Sequence, residues 1–207
     1  MRNKRAWMVI ASVVAALSLS AMMASAAGAS PVWRFGGEAL SGSETVTATT
    51  TASNLTFPGM TTTCEASIGM TISNVGSEGV TSVESMNLSG CHTQFENCTV
   101  EEASAPGLPW SGRTQLAGGS SYLVIEGFDN EILYGNELCA VEGLAIPYRG
   151  SVGGLFDNSA SKLIFNEASA EATGSSLKSI GTTKTGYDAE YEVKATGSHA
   201  GQALTLS

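Results

Sequence analysis

The chain has 207 residues, a formal net charge of −9, four cysteines and a hydrophobic fraction of 43%. That acidic balance argues against a nucleic-acid binder and against attachment to anionic lipid by charge, since both need the opposite sign. The length suits one domain able to bury a core.

The first segment reads as a leader. Arg2, Lys4 and Arg5 precede an apolar run over residues 6–24, which ends in Ala24-Ser25-Ala26. This is the three-part layout of a secretory signal peptide, with Ala27-Gly28-Ala29 as a second cleavage candidate. Residues 1–26 are therefore expected to be removed, and no later apolar run is long enough to span a bilayer. Without Arg2, Lys4 and Arg5, seven of the ten basic residues remain against 19 acids, a net charge of −12. The expected location is secreted or extracellular.

Beyond the leader the dominant period is two. Residues 44–51 form the first predicted strand, followed by turn signals at Asn54 and Pro58-Gly59. Residues 62–73 alternate most strictly. Cys64, Ala66, Ile68, Met70 and Ile72 share one face, with Thr63, Glu65, Ser67, Gly69, Thr71 and Ser73 on the other. A turn over 74–79 leads to a strand over 80–88, and the hairpin so formed sets Ser73 beside Val80. Further strands are predicted over 98–102, 121–126, 132–141, 161–166, 188–195 and 203–206. Turns at Gly118-Gly119, Asp129-Asn130, Asp157-Asn158 and 197–201 separate them. In 188–195, Ala189, Tyr191, Val193 and Ala195 face inward. Residues 166–180 have room for a short helical turn, limited by Gly174 and the serines. No repeat or composition break marks a second domain. Residues 27–207 are expected to form a single all-β domain: an antiparallel sandwich, a jelly-roll-like fold or a partly closed barrel, stapled by two disulfides.

Cys64, Cys91, Cys98 and Cys139 all follow the leader, and an even count in an exported chain implies disulfides. Counting back along the hairpin brings Cys64 near residues 89–91, and Cys91 and Cys98 flank a reversal. Of the three pairings, Cys91–Cys98 with Cys64–Cys139 is preferred. The short loop is worth about 2–3 kcal/mol and the long one about 4–5 kcal/mol by chain entropy. Cys64–Cys91 with Cys98–Cys139 fits the hairpin register nearly as well.

The order of features has a likeness. Trp33, the run GGEALSGSETVTA, Cys64, Gly90-Cys91, Cys98, Leu108-Pro109-Trp110, Cys139 and YRGSVGG follow one another through most of the exported part. This order resembles a set of secreted β-rich proteins of actinobacteria. The resemblance implies export by such a bacterium and a β fold. It carries over no activity and no functional residue.

Candidate chemistry is sparse. His92 lies between Cys91 and Cys98, but a C-x₆-C spacing with only His199 elsewhere does not make a zinc site, and redox pairs use C-x-x-C. The candidate calcium ligands are Glu126, Asp129 and Glu131 in EGFDNE, with Asn130 among them. They lack the twelve-residue loop spacing, and the competing reading is a hairpin turn with solvated acids. No G-x-S-x-G elbow is present. Glu101 and Glu102 are neighbours on a predicted strand and so point to opposite faces, unlike a paired acid and base. Trp110, Tyr134 and Tyr148 are the candidate binding surface, through stacking on sugars or partner proteins; the competing reading makes them core anchors.

Together these features point to a secreted, non-catalytic cell-envelope or extracellular protein that acts by binding or structurally. Its candidate partners are envelope polysaccharide or protein, with no cofactor beyond the calcium candidates. Two alternatives stand: a hydrolase of envelope polymers using Asp or Glu as acid and base, and a small-ligand carrier with a cavity in a β-barrel.

Overall fold

Strands form where the sequence alternates, because a period of two puts every second side chain on one face. The computed structural model of the chain describes residues 30–180 and 183–207, so the predicted leader lies outside the described residues. In chain order the strands begin with β1 (Trp33–Phe35), β2 (Glu38–Ala39), β3 (Ser43–Phe57), β4 (Met60–Val75) and β5 (Glu78–Thr93). Next come β6 (Thr99–Ser104), β7 (Trp110–Ala117), β8 (Ser120–Gly135), β9 (Ala145–Asp157) and β10 (Lys162–Phe165). A helix, α1 (Glu167–Thr173), precedes β11 (Leu177–Lys178), β12 (Lys184–Ala195) and β13 (Leu204–Leu206).

Eight antiparallel strands close into a barrel in the order β3-β4-β5-β7-β8-β9-β10-β12, with β12 returning to β3. The expected hairpin is present with Ser73 opposite Val80, and Cys64, Ala66, Ile68, Met70 and Ile72 are all buried. Ala189, Tyr191, Val193 and Ala195 on β12 are buried as well. Each large apolar side chain so buried contributes about 1.5–3 kcal/mol. The interior is filled by side chains, as an eight-stranded barrel allows. Trp33, Tyr134, Tyr148 and Tyr191 are among its largest fully buried residues.

A small sheet, β13-β1-β2, stops one end of the barrel. Asn74, in the β4–β5 hairpin, holds it. Its Oδ1 accepts from Trp33 N at 2.8 Å, and its Nδ2 donates to Trp33 O and Leu40 O. The Trp33 indole donates to Val80 O at 3.2 Å, and Asn158 bonds both N and O of Leu206. Trp33, Phe35, Leu40, Leu204 and Leu206 are thereby buried with the core.

Several elements depart from expectation. Asp129-Asn130 is no turn. It lies within β8, which runs unbroken from Ser120 to Gly135, with a register shift between Glu126 and Phe128. Asn54 likewise sits inside β3. The strand expected over 132–141 ends at Gly135. Strands β7 and β9 had no predicted counterpart. Pro147 and three glycines make β9 read as loop. The proline is tolerated because β9 pairs only with β8 over residues 145–148, so its other edge is free there. The helix matches the short turn expected within 166–180. Asn166 Oδ1 caps it by accepting from Ser169 N at 2.8 Å, and Gly174 ends it in the left-handed conformation.

The preferred disulfide pairing is overturned. Cys64 pairs with Cys91 and Cys98 with Cys139, with Cα separations of 4.1 and 4.7 Å. The reason is a bulge. Thr63 opposes His92 and Glu65 opposes Ser89, so Cys64 alone faces the pair Gly90-Cys91. Gly90 takes φ +59° as the extra residue, which turns Cys91 toward Cys64. The loop 91–98 is therefore held from outside, by the strand before it and the β8–β9 loop beyond it. Among the described residues no helix is long and apolar enough to cross a membrane.

Candidate functional site

One stave of the barrel is broken. Between β9 and β12, β10 fills the gap as far as Phe165, which pairs with Gly154 and Ala189. Strand β11 resumes the gap at Leu177, which pairs with Gly150 and Thr185. On each wall three residues are left without a β10 or β11 partner: 151–153 on β9 and 186–188 on β12. At ~3.3 Å per residue this is an opening about 10 Å long and one strand wide. The chain between the two halves, residues 166–176, leaves the barrel wall and carries α1 across it.

The excursion is seated on the outside of the wall. Val152 and Phe156 of β9 face the core, so Gly153 faces out. A Cβ at Gly153 would overlap the Thr173 side chain, so only glycine lets α1 approach this closely. Ser176 O accepts from Ser151 N at 3.0 Å, and Ser176 N donates to Ser151 Oγ at 3.2 Å. Roof and opening enclose a pocket of about 490 Å³. Val152, Phe165, Leu177 and Tyr187, all core residues, form its apolar floor.

The rim is acidic. Glu167, Glu171 and Asp188 line the pocket, with Lys184 as the one basic residue. Asp188 reaches solvent, yet partial burial, and next the neighbouring Glu167, hold its carboxyl above the usual aspartate range. Thr185, on the same lining, is 8% exposed, and its Oγ1 has no hydrogen-bond partner. Tyr187 points its hydroxyl into a buried network, 2.5 Å from Tyr191 OH and 3.3 Å from Ser53 Oγ. Burial pushes both phenols up, so they stay protonated.

A shallow polar furrow continues from the rim. Asp188 pairs with Asn54, Asn54 with Thr63 and Thr63 with His92, so one outward row crosses four strands. The furrow shares Asp188 and Thr56 with the pocket and ends at His92 and Gln94. Thr63 Oγ1 donates to Asn54 Oδ1 at 2.7 Å. The ends of this row are about 14 Å apart at the usual strand spacing, too far for Asp188 and His92 to act on one atom.

The residues singled out in the sequence go elsewhere. Asp129 and Glu131 lie on a strand and both face Arg149, at 3.0 and 3.7 Å. Glu126 pairs with Arg113 at 3.3 Å. Their charge is answered by arginine, and among the described residues no three of His, Cys, Asp and Glu gather closely enough to hold a metal ion. Trp110, Tyr134 and Tyr148 form no binding surface, since all are at most 3% exposed. The Trp110 indole donates to Pro106 O, and Trp110 packs against Phe128 at 5.1 Å. Tyr134 OH lies 2.6 Å from Thr62 Oγ1 and 3.3 Å from Tyr148 OH. Their hydroxyls have partners, which is what lets these rings serve as core anchors. His92, near the end of β5, and Glu96, in the turn beyond it, are exposed.

The pocket residues escaped notice for a reason. Asp188 reads correctly as the outward face of a strand, and Glu167 as part of a short helix. Nothing local says that the two meet across a broken stave. The available signal was a four-residue strand, KLIF, followed by a capped helix and a second short apolar segment. No family model matches the chain, and no curated protein or solved structure is detectably similar to it.

Proposed function

We propose that this is an exported, non-catalytic binding protein whose ligand enters the pocket between β9 and β12. The observation that carries the reading is the broken stave. The barrel wall opens for three residues on each side, and the displaced chain roofs a cavity of about 490 Å³. That volume lies within the ~300–1,000 Å³ typical of small-ligand sites, and an apolar floor with a few polar groups is their usual lining. The stopped end and the filled interior argue against a ligand carried along the barrel axis. Two disulfides suit an oxidising compartment outside the cytoplasm, and an actinobacterial envelope is the setting we favour. The test is an amide NMR titration of the processed protein with a fragment set that includes envelope oligosaccharides. Binding should move Gly153, Gly174 and Gly186 together. Saturable binding that leaves these three unmoved would refute the reading.

A second reading rests on the raised carboxyl of Asp188 beside Glu167. A carboxyl with raised proton affinity can serve as the acid in polymer hydrolysis, with a second carboxylate near it as base. Release of reducing ends from envelope polysaccharide, abolished by Asp188→Asn and by Glu167→Gln alike, would favour it over binding alone.

A further inference from the structure

We infer that the end of the barrel opposite the stopper sheet is the contact face of a two-fold dimer of this chain. Six large apolar side chains are exposed among the described residues, and three of them, Phe95, Leu138 and Leu144, lie in the loops 94–98 and 136–144. Asn74 holds the stopper at the β4–β5 turn, and β5 runs from that turn to loop 94–98, so this loop sits at the far end. The Cys98–Cys139 bond brings loop 136–144 beside it. Leu138 is 75% exposed, yet its backbone is fixed. The next residue is cross-linked, and Asn97 Nδ2 donates to Leu138 O at 2.9 Å. Gln94 fastens the first loop to the β3–β4 turn, donating to Gly59 O and accepting from Thr61 N. Exposed apolar side chains on loops already held in place suit a contact surface, because little ordering entropy is lost on association.

Charge names the occupant. Loops 94–98 and 136–144 carry the exposed acids Glu96, Glu137 and Glu142 and no lysine or arginine. The neighbouring strands reach the same end with bases. Lys178 of β11 lies opposite Lys184 of β12 and opposite Arg149 of β9, and β12 meets β3 there at Thr56, beside the β3–β4 turn. None of Glu96, Glu137, Glu142, Lys178 or Lys184 enters an ion pair among the described residues, whereas Glu126, Asp129, Glu131, Glu190 and Glu192 all do. One side of the end is thus acidic and the other basic, with Leu144, just before β9, between them. A two-fold axis through such a face sets the acids of each copy against the lysines of the other, and apolar side chains against apolar ones. A face that carries both halves of a complementary pair is its own partner. The contact is made by side chains, since Pro147 blunts the free edge of β9 at this end. Two copies of so acidic a chain repel at a distance, but charges more than ~8 Å apart are screened at physiological salt. The end of one eight-stranded barrel is a small surface, which places the dimer in the weak class that buries less than about 1,200 Å² in total.

The test is sedimentation equilibrium of the processed, disulfide-bonded protein from ~10 μM to ~1 mM, the range for a weak contact. The mass should rise from that of one chain toward that of two. Leu138→Glu should hold it at one chain throughout, with an unchanged melting temperature. Leu116→Glu, an exposed position near the β7–β8 turn at the stopper end, should leave the dimer intact. Charge reversal tests the two-fold pairing. Glu137→Lys with Glu142→Lys in one variant, and Lys178→Glu with Lys184→Glu in another, should each weaken association at least fivefold. An equimolar mixture of the two variants should recover the association of the parent, because each copy then meets its complement. A parent that stays a single chain at ~1 mM overturns the inference, and so does a dimer that Leu138→Glu leaves intact. Association lost in both charge variants and not recovered on mixing overturns the two-fold face.

Discussion

Replacing Cys98 and Cys139 together by alanine removes one disulfide and leaves the other whole. The Cys98–Cys139 bond spans 41 residues and the Cys64–Cys91 bond 27. Chain entropy sets the worth of the longer at about 3.9 kcal/mol and of the shorter at about 3.6 kcal/mol at 25 °C. Urea unfolding of the double variant should therefore show a loss near ~4 kcal/mol, a large share of the stability of an ordinary domain. The same protein, denatured without reductant and treated with a thiol reagent, should show no free thiol, because Cys64 and Cys91 stay joined. Had Cys91 paired with Cys98 and Cys64 with Cys139, the same variant would expose two thiols. Two titratable thiols, or a loss below ~1 kcal/mol, would refute the pairing and the bulge at Gly90 that explains it.

Glu44 is buried, accepts from Ser198 Oγ at 2.6 Å and lies 2.7 Å from His199 Nδ1; these bonds, Ser198 first, hold its carboxyl below the usual glutamate range. Its contribution to stability is thus full above pH ~4.5 and lost as the pH falls through the depressed folded value; the melting-temperature gap between the parent and Glu44→Gln should shrink from pH 7 to pH 3, and a gap independent of pH refutes this. Asn130 is fully buried with both amide atoms unpartnered. Asn130→Leu should raise stability by about 1–3 kcal/mol in urea unfolding, by removing groups that are costly to bury; a destabilised variant would mean that the amide has a partner in solution. Gly153→Ala should cost about 1–3 kcal/mol by pushing Thr173 outward, and hydrogen exchange should quicken in residues 167–173 before it does in β4.

Much of the barrel was legible because the first strand of its long hairpin, β4, keeps the period of two over most of its length. From Met60 to Ser73 burial alternates strictly, so the inner row could be read residue by residue. What escaped was set by contacts distant in sequence. Asp129-Asn130 is turn chemistry by composition, yet Asn130 lies inside a sixteen-residue strand because β9 pairs along its length. The cysteine pairing hinged on one extra residue, Gly90, and a single-residue slip changes which side chain faces which. The aromatics could be read as either surface or core, and their hydroxyl partners, Thr62 among them, lie up to 72 positions away. The pocket was the least legible feature, since its two walls and its roof come from three separated segments.

The broken stave also separates what must stay constant from what can vary. Strands β10 and β11 each take their register from β9 and β12 directly, and both walls advance by the same three residues across the break. Residues 166–176 therefore behave as an insertion into a strand that is complete at both ends. The β10 and β11 pairings do not depend on their length, while Ser176, which bonds Ser151, and Thr173, which seats on Gly153, tie them to the wall. A segment grafted between Phe165 and Leu177 that keeps Thr173 and Ser176 should leave the barrel pairings in place while changing the lining of the pocket.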